Sequence, residues 1–501
     1  MTSHIRAFRR RLPLRPPLWL VPVVWTVALG LWGLSRRHSV WRDEAATWQV
    51  AERSTGDIWH MLGQVDAVHG LYYLLMHGLF ELFGPGTTTL RLPSVLAGAV
   101  AAACVTVIGE RLAGAWGGLG GGLAFGLLPA MQFYLQEGRP YALVAAGAAL
   151  ATLLLVTALE GRARPWHWMA YGTTVVLSAL LNWLSLLMLP AHLATLLWTR
   201  AARGTWTRWA AASAAALAGA LPLILFSRGQ AGQLSWIPPM TWHMLIGPAI
   251  LLTIGGLGAR LDRPRAGHLS AAAVGLPLLA IPQLALIGIS LQKPLFVDRY
   301  VVFSLVGLSL LIGTGLGAAV RRAGPRFPRA SRWLVPAVVL VALVGLLPQS
   351  LAKRSPSSRV DDVLAIAADV RRVKQPGDAV LFLPAARRDT KSVSPQAFTG
   401  LRDIALAKSP EASGTLKGTE IPPSHLRTTM LAEPRILLIT DAPDAAKPTT
   451  GPRDRAMTAI LRKYFTPTTD HQSRGRRLTL YERRTPNLHA PLRETPVSRS
   501  G

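Results

Sequence analysis

The chain has 501 residues, half of them apolar, with 54 Lys and Arg against 26 Asp and Glu and a formal net charge of +28. A mean hydropathy of +0.30 and a pI near 11.5 put it in a membrane and leave nucleic acid, anionic lipid or topology control to explain the basic charge. The arginines stand in short clusters between apolar runs rather than in one stripe with interleaved aromatics, which excludes nucleic acid as a partner. Cys104, the single cysteine, lies inside an apolar run and offers neither a disulfide framework nor a thiolate metal site.

Residues 18–34 form the first apolar run, behind His4-Ile5-Arg6 and Arg9-Arg10-Arg11. The run resembles a signal peptide. Ser35-Arg36-Arg37-His38 follows in place of a small-residue cleavage site, so it reads as a retained span. Further runs fall at 91–109, 115–134, 140–159, 167–181, 183–199, 209–226, 242–259, 269–291, 299–319 and 333–350. Crossing about 30 Å of hydrocarbon at about 1.5 Å per residue, they predict about eleven spans.

Residues 70–83 are apolar but too few to span, and read as an interfacial or re-entrant helix. With that segment on the surface and the N-terminus in the cytoplasm, the clusters at Arg111, Arg162 and Arg164, Arg200 to Arg208, Arg260 to Arg265 and Arg321 to Arg332 all become cytoplasmic. Asp43, Glu44, Glu52, Asp57, Asp66, Glu81, Glu137 and Asp298 then gather outside.

The first outer loop, 35–90, opens on Trp41-Arg42-Asp43-Glu44, an adjacent acid pair at the exit of an apolar helix. Carboxylates beside a bilayer are costly unless solvated or paired, which marks Asp43 and Glu44 as candidate chemistry against the reading of a wetted loop. Residues 43–53 predict a helix with Trp48 and Ala51 on one face, lying on the bilayer as the segment around Tyr72 does. Other outer loops carry Gln136-Glu137-Gly138-Arg139-Pro140-Tyr141, Ser235-Trp236-Ile237-Pro238-Pro239 and Lys293-Pro294-Leu295-Phe296-Val297-Asp298-Arg299-Tyr300. One juxtamembrane Arg is ordinarily an interface anchor. Two of them, Arg139 and Arg299, on the side that holds Asp43 favour a bound phosphate, which Arg grips with two parallel bonds. His77 and His192 read as packed or interfacial side chains.

Trp-Arg-Asp-Glu after the first span, Asp66-Ala67-Val68-His69-Gly70-Leu71-Tyr72-Tyr73, Arg91-Leu92-Pro93-Ser94, Glu137-Gly138-Arg139-Pro140-Tyr141 and Asp298-Arg299-Tyr300 together resemble the GT-C glycosyltransferases. The similarity covers residues 18–350 and runs to the family 39 branch of protein O-mannosyltransferases and lipid A aminoarabinose transferases. His69-Gly70 departs from that branch, which commonly has His-Pro or Lys-Pro before the apolar run. The resemblance implies a mainly α polytopic fold and a polyprenyl monophosphate sugar donor, with mannose the commonest sugar. It also implies a glycan, lipid or protein acceptor outside the cytoplasm, and Asp43 as the catalytic base.

The chemistry agrees independently. A carboxylate can take the proton of an attacking hydroxyl. A phosphate with a second pKa near 6 leaves as an anion that arginines stabilise, without the second, protonated carboxyl of a glycosidase. Transfer with inversion then needs no cofactor. Glu44 would orient Asp43, bind sugar hydroxyls or hold a metal, and a divalent ion at Asp43, Glu44 and His69 is the alternative arrangement. Arg42, His69, Tyr72, Arg91, Glu137, Tyr141, Trp236 and Tyr300 are candidates to line the substrate cavity. A transporter or flippase would require inverted repeats and mid-helix acids, which this chain does not display. A non-catalytic protein bound to the cell wall is the other reading.

Residues 1–350 are thus expected to form the membrane domain and 351–501 a separate domain with a disordered tail from Pro486. After the linker Lys353-Arg354-Ser355-Pro356-Ser357-Ser358-Arg359, residues 361–374 show helical spacing. Residues 379–383, 435–440 and 477–481 read as strands, giving a small α/β domain, outside the cytoplasm after an odd number of spans. Residues 390–423 are polar and are given no structure. The richness in Ala, Arg, Gly and Pro points to a bacterial plasma membrane.

Overall fold

The computed structural model describes residues 17–230, 232, 236–262, 266–446 and 451–484. The basic N-terminal residues, Ser235, Arg263, Arg265 and the tail from Pro486 lie outside the described residues. The chain divides into two compact units, one of residues 1–38 and 46–358, the other of 39–45 and 359–501. The sequence reading drew the boundary at 350.

The first unit is helical. Its helices are α1 (Leu20–Leu31), α2 (Arg42–Ala51, whose first turn belongs to the second unit), α3 (Thr55–Gln64), α4 (Gly70–Phe83), α5 (Thr87–Ala113), α6 (Ala115–Leu127), α7 (Pro129–Leu135), α8 (Tyr141–Leu159), α9 (Pro165–Leu181), α10 (Met188–Thr199), α11 (Arg203–Arg228), α12 (Ile246–Asp262), α13 (Ala271–Ser290), α14 (Leu305–Ala323) and α15 (Leu334–Lys353). Each expected span falls on helical structure, 115–134 on the broken pair α6 and α7, but not all of the expected eleven are long enough to cross alone. Among the described residues seven helices are long and apolar enough to cross a membrane, or eight if α6 and α7, bent by 62° at their break, count as one span. The others are shorter: α1 has 12 residues, α9 has 17, and residues 183–199 form a short apolar helix ending in α10. The segment 70–83 forms the predicted 14-residue helix α4.

Buried α14 lies against α6, α12 and α13. Its approach to α6 is backbone to backbone, because a Cβ on Gly313 would stand 2.3 Å from the Gly117 carbonyl oxygen and 2.6 Å from the Gly121 nitrogen. At one end of the bundle Arg111 bonds Thr157 at 2.9 Å and Arg321 bonds the Ala113 carbonyl at 2.6 Å. Residues 68–69, 141, 181–184, 224–230 and 293–300 converge elsewhere, around one cavity. These two sets are the loops that the arginine bias assigned to opposite faces.

Arg354, read from sequence as linker, belongs to this unit. Its guanidinium bonds the carbonyls of Leu29 (2.6 Å) and Trp32 (2.8 Å) and the side chain of Gln132 (2.8 Å). A cation thus satisfies orphan carbonyls at the C-terminus of α1.

The second unit is α/β. In chain order it holds α16 (Val363–Val373), β1 (Ala379–Leu383), α17 (Asp389–Val393), β2 (Arg402–Asp403), β3 (Leu406–Lys408), β4 (Thr419–Glu420), α18 (Pro423–Leu431), β5 (Arg435–Asp441), α19 (Pro452–Tyr464), β6 (Phe465–Ser473) and β7 (Arg476–Arg483). The main sheet runs β2-β1-β5-β7-β6, with β1 parallel to β2 and β5, and β7 antiparallel to β5 and β6. Strand alternation separates two cores. Val380 and Phe382 pack with Ile366 and Val370 of α16, while Leu381 and Leu383 share the other face with Met430 of α18 and Leu461 of α19. Residues 390–423, left without structure in the sequence reading, supply short strands and turns. Asp403 and Glu420 there flank the buried Arg388 at 2.7 Å each, and these ion pairs order a polar segment that periodicity alone does not reveal.

Candidate active site

Four of the five outer motifs meet in the membrane unit. The Ser94 hydroxyl donates to the carbonyls of Glu137 (2.7 Å) and Arg139 (3.4 Å). Thr47 donates to the Gly138 carbonyl at 3.1 Å and accepts from Arg139 at 3.4 Å. The Arg139 guanidinium also reaches His69 Nε2 at 2.7 Å.

That contact fixes a tautomer. A guanidinium carries donors only, so Nε2 must present its lone pair and the proton of the neutral ring sits on Nδ1. Burial first, then the Arg139 charge, push His69 down to about 4, with Asp66 opposing and Arg299 acting in the same direction as Arg139. Asp66, at φ 62, stands 3.8 Å from His69 Nε2 and accepts a hydrogen bond from Tyr73. Asp tolerates this left-handed conformation better than most residues. Burial, then Asp66, raise the Tyr73 phenol well above its ordinary range.

His69 also lines a cavity of about 310 Å³ with Tyr141 and Tyr300. Its apolar lining includes Leu181, Trp183, Leu184, Ile224 and Leu295, and its polar lining Asn182, Gln230, Arg228 and Lys293. Among the described residues neither Arg228 nor Lys293 has an acid partner. Tyr141 is the first residue of the 19-residue helix α8, so the positive end of that helix lies at the cavity. Gln230 is fixed by accepting from Ala67 N at 2.9 Å and donating to the Leu62 carbonyl at 3.0 Å. Asn182 donates to the Tyr300 carbonyl at 3.3 Å.

The structure thus brings His69, Tyr141 and Tyr300 together, with Arg139 one hydrogen bond behind His69. The Arg299 guanidinium lies 5.0 Å from the ring centre of Trp236 and 5.8 Å from that of Tyr300. Buried Arg91 donates to the Leu34 carbonyl at 2.7 Å, Tyr72 is fully buried in α4, and Glu137 is buried with its carbonyl bound by Ser94. His192 is a packed core side chain, bonded to Tyr171 at 2.8 Å and Thr152 at 3.1 Å. The sequence reading missed Arg228, Asn182 and Gln230, and took Lys293 only as a neighbour of Arg299. The available signal was a lone arginine at the end of an apolar run where the positive-inside bias expects none.

The acid pair belongs to the second unit. Asp43 and Glu44 occupy the first turn of α2, where carboxylates suit the helix dipole. Asp43 is half-buried and Glu44 fully buried. Arg42, expected at the substrate cavity, is engaged by Asp361 at 2.9 Å and Asp441 at 3.4 Å. Among the described residues no group of three or more His, Cys, Asp and Glu side chains could hold a metal ion.

The family model for dolichyl-phosphate-mannose-protein mannosyltransferase matches residues 71–228. No curated protein matches the chain in sequence. ArnT from Cupriavidus metallidurans is similar in structure, with a TM-score of 0.61 at 14% identity over 92% of this chain and 97% of that one. The same protein bound to undecaprenyl phosphate gives 0.54 at 14% identity and the same coverage. The archaeal oligosaccharyltransferase AglB from Archaeoglobus fulgidus, in complex with an inhibitory peptide and a dolichol phosphate, gives 0.51 at 10% identity over 85% of this chain and 69% of that one. The chain is therefore a multi-pass membrane protein with the GT-C glycosyltransferase fold, and its similarities run to the protein-mannosyltransferase and ArnT branch of that fold.

Proposed function

We propose that the protein transfers a sugar, mannose in the first instance, from a polyprenyl-phosphate carrier to an acceptor hydroxyl on a glycan, lipid or protein outside the cytoplasm. The site is a bacterial plasma membrane, with the N-terminus cytoplasmic and the C-terminal unit outside. The observation that carries this reading is the cavity at the helix ends. Apolar residues and the cations Arg228 and Lys293 line it together, the combination that a lipid carrying a phosphate requires. Two structures of similar fold were solved with undecaprenyl phosphate and dolichol phosphate, which supports the same donor class here.

In this reaction Asp43 removes the proton of the attacking hydroxyl, and Glu44 orients Asp43 or binds sugar hydroxyls. Inversion follows from a single displacement at the anomeric carbon, with the carrier phosphate leaving as an anion. Arg139 and Arg299 bind that phosphate with Arg228 and Lys293. All four act by charge, and Arg139 reaches the cavity side through His69. No divalent metal is required.

Lipid-linked products extracted from membranes with and without the protein test the reading. Asp43→Asn should retain expression and donor binding while turnover falls by about 10²- to 10⁴-fold, the range for a lost general base. EDTA should leave wild-type turnover unchanged. Near-normal turnover in Asp43→Asn ends the assignment of the base.

A further inference from the structure

The Trp-Arg-Asp-Glu segment is built into the second unit by its backbone as well as its side chains. The Val363 amide donates to the Val40 carbonyl at 2.7 Å, and the Arg42 amide to Asp361 at 3.0 Å. The Arg42 side chain then grips Asp361 through Nε at 2.9 Å and Asp441 through a terminal nitrogen at 3.4 Å. Neither acid is placed by Arg42 alone. Fully buried Arg476 holds Asp361 at 2.9 Å and Asp389 at 2.6 Å, while Arg387 holds Asp441 through two bonds of 2.6 and 2.8 Å. The β6–β7 turn closes on the same place: Asp362 N donates to the Arg474 carbonyl at 3.0 Å, and Gly475, at φ +64, leaves no room for a Cβ beside the Val360 carbonyl, 2.0 Å away.

We propose that Arg42 is a positioning residue for the acid pair, and that the α/β unit is part of the catalytic machinery because it sets the orientation of the helix turn that carries Asp43 and Glu44. This inference rests on the reading of Asp43 as the base. Asp361 stands just before the N-cap of α16 and Asp441 ends β5, and Arg476 and Arg387 lock them there. Arg42 is therefore the adjustable link between a rigid ion-pair network and the next residue in the chain, Asp43. Burial would raise the Asp361 carboxyl, yet Arg476 and then Arg42 bring it below its ordinary value, so the anion that Arg42 needs persists at neutral pH. A planar fork that spans two carboxylates fixes a helix turn in a way that a point charge on a flexible stem does not. Displacement by about 1 Å at a reacting group can cost about 10²-fold in rate.

The test uses the full-length protein in membranes, with steady-state kinetics on polyprenyl-phosphate mannose. Arg42→Ala should lower kcat by about 10²-fold at unchanged donor KM, with part of the loss recovered by millimolar guanidinium ion and Arg42→Lys falling between Ala and wild type. Asp441→Asn, isosteric and still leaving Arg42 on Asp361, should lower kcat several-fold, again at unchanged KM. It serves as the deciding measurement if Arg42→Ala fails to fold. Full kcat in either folded variant, or a loss confined to KM, overturns the proposal. If Asp43→Asn itself turns over normally, the assignment of the base has failed rather than the role of Arg42.

Discussion

Protonation of His69 gives the most direct check on the geometry around the cavity. The ring is buried, accepts from Arg139 at 2.7 Å and feels Arg299 in addition, with Asp66 as the one opposing charge and Tyr73 beside it. Its folded-state value of about 4 lies below the ordinary 6.5, so the unfolded chain takes up the proton first. Stability from this group is therefore complete above pH 6.5 and is lost as pH falls toward 4. The gap corresponds to about 3 kcal/mol at 1.36 kcal/mol per pH unit. Nitrogen-15 NMR of histidine-labelled protein in detergent reads it directly, with His69→Gln identifying the missing resonance among the 12 histidines. The expected spectrum shows an Nδ1–H tautomer that stays neutral at pH 5. Unfolding measured between pH 6.5 and 4.5 should show wild type losing stability faster than His69→Gln, whose side-chain oxygen still accepts from Arg139. A midpoint near 6.5, or the opposite tautomer, would refute the arrangement of His69 and Arg139.

Arg228→Gln and Lys293→Gln should each weaken binding of undecaprenyl phosphate by about tenfold, in line with about 1.5 kcal/mol for a charge-assisted contact, without loss of folded protein; unchanged affinity in both would remove them from the phosphate site. A reporter after Arg359 and one near Pro85 should both read extracytoplasmic and one at Arg203 cytoplasmic, and a cytoplasmic signal at Pro85 would mean that α4 spans. Gly313→Ala should destabilise the bundle by about 1–3 kcal/mol or more, since its Cβ would meet the backbone of α6. Gly78→Ala, with nothing within 4 Å of its Cβ, should be neutral or stabilising in the same thermal unfolding assay.

Helices of the membrane unit were legible because lipid demands long apolar runs, and α4 was legible because its run is too short to span. Strands β1 and β5 were legible from continuous apolar burial, and β7 from the alternation of Leu478 and Leu480 with polar neighbours. The sequence around 361–374 announced a helix, and Asp362 caps it by accepting from Leu364 and Ala365. Asp361, one residue earlier, turns instead to Arg42 across 319 positions of chain, and such a pairing leaves no local periodicity. For the same reason the grouping of residues 39–45 with the C-terminal unit was not visible. Arg91 shows the converse difficulty. Its motif suggested a site, and its buried guanidinium also donates to the Leu34 carbonyl at 2.7 Å, a contact that the residue type alone does not announce.

Helix α11 has 26 residues, Arg203–Arg228, and presents Leu217, Leu221, Leu225 and Phe226 outward, in contrast to the enclosed α14. At about 1.5 Å per residue its apolar run, 209–226, is about 27 Å long, close to a hydrocarbon thickness of about 30 Å, so a thicker or thinner bilayer creates a mismatch that the helix meets by changing its tilt. The same helix ends in Ile224, Ser227 and Arg228 on the cavity wall. A change in acyl-chain length therefore acts on α11 as a lever whose far end carries a cation of the cavity. Donor affinity should vary with the thickness of the host membrane even though the lipids that set the thickness never enter the site.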